Sequence, residues 1–313
     1  MATMKAVRFH SYGDSGVLVL EEMPRPQAGE GEVLIRVHAA GVNPLDWKVR
    51  DGHLKERLKH QLPLVPGWDV SGVVEAVAPD VTAYKIGDEV YGLLNFMGNG
   101  AYAEYVATPT KSLALKPKTI DQIQAAAVPL ASLTAWQALF DVADLKSGQT
   151  VLIHAAAGGV GHFAVQFAKW KKAKVIATAS ANNESFLREL GADEMIDYRT
   201  TKFEEAVHDV DVVLDTMAGD TRQRSWQVLK KGGILVATLG ISDQEIEQQQ
   251  GVRGGGLMVH PDFDQLTQIA TLIDDGNLKP TVTTVLPLEE AARAHELNQT
   301  GHVRGKIVLQ VSG

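Results

Sequence analysis

The chain contains no cysteine among its 313 residues. Disulfides, thiolate zinc sites, iron–sulfur clusters and cysteine nucleophiles are therefore excluded together. Positive charge is also scarce, with 30 Lys and Arg against 38 Asp and Glu and a net charge of −8. The densest basic stretch, Lys169-Trp-Lys-Lys172, has the form of a solvated helix end, which argues against a nucleic-acid partner. Met1-Ala-Thr-Met-Lys-Ala-Val-Arg8 passes straight into a strand pattern without the apolar core of a signal peptide, so the expected location is cytoplasmic. One run, Val151 to Ala168, is long enough to imitate a membrane span. It carries His154, His162, Gln166 and three glycines, and its period changes midway, which describes a buried βα unit rather than a bilayer helix, so no membrane partner is expected.

That same run is the most informative stretch in the chain. Val151 to Ile153 predicts a short buried strand, Ala155 to Gly161 a tight turn of small residues, and Phe163 onward a helix. The spacing Ala156-x-Gly158-x-x-Gly161 is a dinucleotide fingerprint with alanine in its first position. Gly158 lets a pyrophosphate approach the backbone, Gly161 lets helix and strand pack closely, and the free N–H groups of the helix face the anion. Lys174 to Ser180 then reads as a second buried parallel strand, which the βαβ unit requires.

From Lys5 to about Thr108 the pattern is of short strands separated by turn residues, predicting a small β-barrel. Helical spacing begins near Asp121. From Gln149 strands and helices alternate, with strands expected at Thr150 to His154, Lys174 to Thr178, Glu194 to Asp197, Val210 to Leu214, Gly233 to Leu239 and Leu257 to His260. The fold class is thus α/β, with a six-stranded doubly wound parallel sheet. Helices follow at Phe263 to Ile273 and Leu288 to Gln299, and a final strand, Gly305 to Val311, is expected to rejoin the first domain. The resulting domains are 1–122, with 261–313 returning to it, and 123–260.

This order of elements, with Ala39-Ala-Gly-Val-Asn-Pro-Leu-Asp46, Val65-Pro-Gly-Trp-Asp-Val-Ser-Gly72, Gly100-Ala-Tyr-Ala-Glu-Tyr105, Leu133-Thr-Ala-Trp136, Gly191-Ala-Asp193 and Gly305-Lys-Ile-Val-Leu309, resembles the medium-chain dehydrogenase/reductase superfamily over essentially the whole length. The similarity is to its zinc-free quinone oxidoreductase (zeta-crystallin-like) branch. It implies a GroES-like β-barrel catalytic domain and a Rossmann NAD(P)-binding domain. Zinc members carry a cysteine where this chain has the Asn43-to-Asp46 turn, and a histidine where it has Trp68 in Pro66-Gly-Trp-Asp69. Neither zinc site can form, and His53 with His60 or His154 with His162 lack ligand spacing, so no metal is expected.

The resemblance implies an NADPH-dependent reductase, NADH being possible, that delivers hydride to quinones or α,β-unsaturated carbonyls. An alternative is an NADPH-binding protein with a structural or regulatory role. NADPH is favoured because Thr178-Ala-Ser180-Ala-Asn182 lacks the acid that NAD-specific folds place at the end of the second strand. Cofactor residues expected on this basis are Thr134, Ala156, Gly158, Gly159, Val160, Gly161, Ser180, Tyr198, Leu239 and Gly240. Tyr198 serves the 2′-phosphate or caps a strand; its Tyr-x-x-x-Lys spacing to Lys202 comes too early for a short-chain dehydrogenase pair. Asn43 and Asp46 are the catalytic candidates. Asn43 either donates to a carbonyl gaining charge or stabilises its turn, and Asp46 either orients Lys48, water or carboxamide or caps the helix after it. Trp47, Trp68 and Asn95 are candidates for a substrate pocket, the tryptophans having core packing as their alternative. A homodimer joined through the sixth strand is expected.

Overall fold

Valine- and alanine-rich runs bounded by glycine and proline form the strands of this protein in the computed structural model, which describes residues 2–238, 240–241 and 244–312. The chain opens with β1 (Thr3–Phe9), β2 (Leu18–Pro24), β3 (Glu32–Val42), β4 (Asp69–Val77), β5 (Glu89–Leu93), β6 (Tyr105–Pro109) and β7 (Leu113–Leu115). It continues through β8 (Thr150–Ile153), β9 (Lys174–Ala179), β10 (Glu194–Asp197), β11 (Val210–Asp215), β12 (Leu229–Ala237) and β13 (Arg253–Gly256), and ends with β14 (Val282–Pro287) and β15 (Lys306–Gln310). The residues group into two compact units, Met1–Leu130 with His260–Gly313, and Ala131–Val259.

In the first unit β1 and β2 form an antiparallel pair, and the larger sheet runs β14-β15-β3-β4-β5-β7, with β6 also on β3. β15 lies antiparallel to β3, with Ile307 opposite Val42 and Leu309 opposite Ala40. Burial drives that return, since Ile307, Val308 and Leu309 are all inaccessible or nearly so. The helix Gln122–Ala126, whose apolar spacing suggests the nucleotide-binding half, packs instead in this unit, where Ala126 and Ala127 share a buried cluster with Ala39 and Val308. Alanines fit either neighbourhood, so their pattern does not reveal the side chosen.

The second unit holds one sheet in the order β10-β9-β8-β11-β12-β13, every neighbour parallel. Order reverses between β8 and β11, and in open sheets of this kind ligands bind outside the carboxyl ends of the strands at such a point. Leu152, Ile176, Val213 and Leu235 of this sheet share a buried core with Trp226. The sixth strand is Arg253–Gly256 and not Leu257 to His260, which carry no strand. Glycine-rich sequence scores poorly as strand, but space dictates it here: a Cβ on Gly255 would stand 2.4 Å from Val142 Cγ1. Among the described residues no helix is long and apolar enough to cross a membrane.

Candidate functional site

β8 ends in a turn built for close approach. Ala155 takes φ of +48°, Ala156 N–H donates to the Thr178 carbonyl (3.0 Å) and Gly158 N–H folds back onto Ala155 (2.9 Å). A Cβ on Gly161 would lie 2.4 Å from the Ala155 carbonyl oxygen and 2.6 Å from Ala156 Cα, so only glycine lets the helix Gly161–Trp170 start against the strand. A Cβ on Gly158 would meet only the Ala155 oxygen, at 3.2 Å, leaving its outer face clear. Gly158, Gly159 and Val160 are partly exposed while Ala156 is buried, so the backbone of the turn is what an incoming group would touch. The leading N–H groups of the helix have no intrahelical acceptors, and its positive end favours an anion.

Two strand ends then come together. β10 pairs with β9 so that Asp197 stands opposite Ala179, and Tyr198 N–H donates to the Ala179 carbonyl (3.3 Å). Ser180, partly exposed, accepts from Asn183 Nδ2 (3.0 Å). Tyr198 is 53% exposed, and the Arg199 guanidinium lies 5.8 Å from its ring centre. Arg199 follows Tyr198 directly, so the β9–β10 pairing brings it towards the strand end that Ser180 closes. Arg188 is held by Glu184 (2.8 Å) on its own helix.

At the neighbouring strand ends Gly240 has φ of +71°, and its carbonyl accepts from Arg222 Nη1 (2.6 Å). Leu239 lies outside the described residues. Thr134, on the helix Pro129–Trp136, is 5% exposed.

In the first unit Asn43 and Asp46 belong to a buried polar cluster. Asn43 precedes Pro44 at the start of the helix Pro44–Arg50, and Asp46 in its first turn accepts from the Asn43 N–H (2.8 Å), so Asp46 does cap the helix. The Asn43 side chain is 2% exposed; its Nδ2 donates to Asp69 Oδ2 (2.8 Å) and its Oδ1 accepts from Lys306 Nζ. Asp69 also faces Lys306 Nζ at 3.4 Å and takes the Leu130 N–H at 2.6 Å. Asp46 Oδ2 accepts from the Tyr102 hydroxyl (3.0 Å), which in turn lies 3.3 Å from His295 Nε2, and His295 Nδ1 lies 3.1 Å from Arg50 Nη1. Arginine only donates, so Nδ1 is the acceptor and His295 carries its proton on Nε2. Lys48 is not part of this network; its ammonium sits 5.5 Å from the Trp47 ring centre, and burial lowers its pKa.

Electrostatics follow from burial. Asp46 is fully buried, and desolvation, reinforced by the Asp69 charge, raises its pKa to about 7 against the opposing pull of Asn43, Tyr102 and Lys306. Its Oδ1 has no hydrogen-bond partner among the described residues. Burial also raises Asp69, while Lys306 and hydrogen bonds from Asn43, Leu130 and Lys306 itself restrain it. Desolvation and Arg50 hold His295 neutral, lowering it to about 3.

Trp68 is completely buried, its indole N–H donating to the Gly98 carbonyl (3.2 Å) and its ring against His60 and Phe96. It supports the Asn95-to-Gly100 loop from beneath and does not itself reach solvent, as a pocket wall would. Trp47 is half-buried and donates to Asn298 Oδ1 (3.0 Å), and Asn95 is exposed with its Oδ1 on the Met97 N–H (3.0 Å). Asp69, Tyr102 and Lys306 were legible only as members of motifs, without roles, and Arg50 and His295 carried no sequence signal at all.

Residues 190–309 match the family described as zinc-binding dehydrogenase, and residues 29–118 match the alcohol dehydrogenase GroES-like domain. Among the described residues no group of three or more His, Cys, Asp or Glu could hold a metal. The chain is 32% identical to the chloroplast envelope quinone oxidoreductase homolog of Arabidopsis thaliana over 98% of each. It is 37% identical to that plant's chloroplastic NADPH-dependent alkenal/one oxidoreductase, covering 98% of this chain and 79% of the relative. The solved quinone oxidoreductase from Coxiella burnetii superposes with a TM-score of 0.92 at 39% identity, covering 99% of this chain and 100% of that one.

Proposed function

The chain belongs to the medium-chain dehydrogenase/reductase superfamily of oxidoreductases, and from that premise we propose that it is a zinc-independent reductase using NADPH to reduce quinones or α,β-unsaturated carbonyls. The observation that carries the cofactor choice is the shared edge of β9 and β10. No acid stands at Ser180, and Tyr198 and Arg199 are delivered beside it by strand pairing. A 2′-phosphate there would be offered a hydroxyl, an aromatic ring and the Arg199 guanidinium, while Asp197, at the end of β10, has its carboxylate turned to the Arg199 N–H (3.0 Å).

The residues fit the remainder of the dinucleotide. The turn Ala156 to Gly161 would hold the pyrophosphate through backbone N–H groups, with Gly158 open for its approach. Thr134 and the backbone at Gly240 would hold the nicotinamide half. When bound, the nicotinamide supplies the hydride.

The protein's own contribution is orientation and charge. Asn43 would donate to the substrate oxygen through the Nδ2 hydrogen not given to Asp69. Lys306, against the amide oxygen of Asn43, draws electron density from that nitrogen and makes it a stronger donor. Asp46 fixes the turn by holding the Asn43 N–H, and water supplies the proton. Trp47 and Asn95 would contribute to the substrate pocket, with Trp68 bracing the loop that carries Asn95. The names of the relatives in Arabidopsis and Coxiella, a quinone oxidoreductase homolog, an alkenal/one oxidoreductase and a quinone oxidoreductase, support these substrate classes.

NADPH oxidation measured against panels of quinones and enones tests the reading. Turnover with at least one class is expected. Tight NADPH binding with no turnover on either panel would sink it. Among the described residues β13 ends the sheet, which supports a homodimer joined along that strand, and light scattering that gives a monomer mass refutes it.

A further inference from the structure

β11 ends at Asp215, which is inaccessible to solvent. One of its oxygens accepts from the N–H groups of Met217 (2.8 Å) and Ala218 (3.0 Å), and the other accepts from Arg222 Nε (2.7 Å). The chain reaches Arg222 through two consecutive left-handed residues, Ala218 (φ +61°) and Gly219 (φ +58°), a conformation that an alanine rarely adopts. Arg222 Nη1 then donates to the Gly240 carbonyl (2.6 Å). The guanidinium is thus clamped at two of its three nitrogens, between the end of β11 and the loop after β12. Its third nitrogen, Nη2, is buried and has no partner among the described residues.

A buried N–H donor without an acceptor is costly, and among the described residues this one has none, on a side chain whose orientation is already fixed. We propose that Arg222 is a cofactor-binding residue whose Nη2 donates to an uncharged oxygen of the nicotinamide half of the dinucleotide, either the carboxamide or a ribose hydroxyl. The inference rests on reading the second unit as an NADPH site. Position decides the half. In a sheet of this order each set of three strands serves one mononucleotide, and the glycine turn, Ser180 and Tyr198 occupy the half made by β8, β9 and β10. Arg222 stands at the carboxyl ends of β11 and β12, in the other half. Charge decides the acceptor. Asp215 already neutralises the guanidinium, so the site offers a directed hydrogen bond more than a net positive field, and a phosphate gains little from it.

Two probes separate this role from a structural one. NADP⁺ spans both halves, whereas 2′,5′-ADP carries only the adenosine half. Their affinities are measured by calorimetry on the wild type, on Arg222→Lys, which keeps a cation against Asp215 but loses the fork, and on the Arg222→Met/Asp215→Asn double variant, which removes the buried ion pair whole. The expected result is that NADP⁺ affinity falls about tenfold in both variants, the size of a lost charge-assisted hydrogen bond, while 2′,5′-ADP affinity stays within about twofold. Unchanged NADP⁺ affinity, or parallel losses for both probes, would overturn the assignment. A wild type that binds neither probe would overturn the cofactor reading itself, and this inference with it.

Discussion

Replacing Asp46 with Asn should stabilise the protein, and increasingly so as pH rises. Asp46 is buried, and its pKa stands at about 7 against an ordinary 3.8, chiefly because burial penalises the carboxylate. The folded state therefore keeps this proton to a higher pH than the unfolded chain does. Stability from the group is complete below the ordinary carboxylate range and is lost as pH rises through about 7. At about 1.4 kcal/mol per pKa unit the full loss is about 4 kcal/mol, of which about 3 kcal/mol falls between pH 5 and pH 9. Asparagine is nearly isosteric. Its Oδ1 can accept from the Asn43 N–H and the Tyr102 hydroxyl as Asp46 Oδ2 does, and its Nδ2 takes the place of an oxygen that is already unpartnered. The ionisation is removed, and the amide adds one N–H donor to the single O–H of the neutral acid, a cost that does not vary with pH. Thermal melting of both proteins from pH 5 to pH 9 should show the variant gaining on the wild type by about 5–10 °C across that range. A gap that is constant with pH, or that narrows as pH rises, would show that Asp46 does not hold its proton in the folded state.

Asn43→Ala should lower kcat by about 10²-fold with NADPH affinity near wild type, since the proposed phosphate site lies in the other unit; full turnover in the variant removes Asn43 from the chemistry. The same variant should also melt several degrees lower, because it strips a buried partner from both Asp69 and Lys306. Arg199→Glu should cut the preference for NADPH over NADH at least about tenfold while leaving NADH kinetics nearly unchanged, and equal losses with both cofactors would remove Arg199 from the 2′-phosphate site. Prolonged chelation should leave turnover intact, because no complete ligand set exists among the described residues; activity lost to chelator and restored by zinc would refute the metal-free assignment.

What the sequence made legible was whatever depends on local pattern. The β8 turn and the helix after it are written in consecutive small and apolar residues, and the α/β alternation carries the sheet with it. The sixth strand was misplaced because its glycines are chosen for clearance against Val142 and not for strand propensity. Arg199 was legible only as a base beyond the third strand, because its approach to the end of the second strand comes from the β9–β10 pairing. The buried cluster was hidden more deeply. His295 and Tyr102 stand 193 residues apart and Lys306 and Asn43 stand 263 apart, and nothing local marks them as partners. Asn43 and Asp46 were found through motif resemblance alone, and their burial could not be foreseen from a turn sequence that favours the surface.

The cluster also offers a polarising charge near the turn where zinc relatives place a ligand. That turn, Asn43 to Asp46, carries an amide, and the second such position is Trp68, an indole packed between His60 and Phe96. The cation that remains in contact with the Asn43 side chain is Lys306, and it faces Asp69 as well. Were Asp46 ionised beside Asp69, two carboxylates would face one ammonium and the field at the Asn43 amide would be cancelled in part. A neutral Asp46 leaves one carboxylate against one ammonium, a balance that a buried site can sustain. Arg50 donates to His295, His295 to Tyr102 and Tyr102 to Asp46 Oδ2, so that Oδ2 is the oxygen that accepts and Oδ1 is the one left to bear the proton. The raised pKa of Asp46 is, on this reading, the condition under which Lys306 can polarise Asn43.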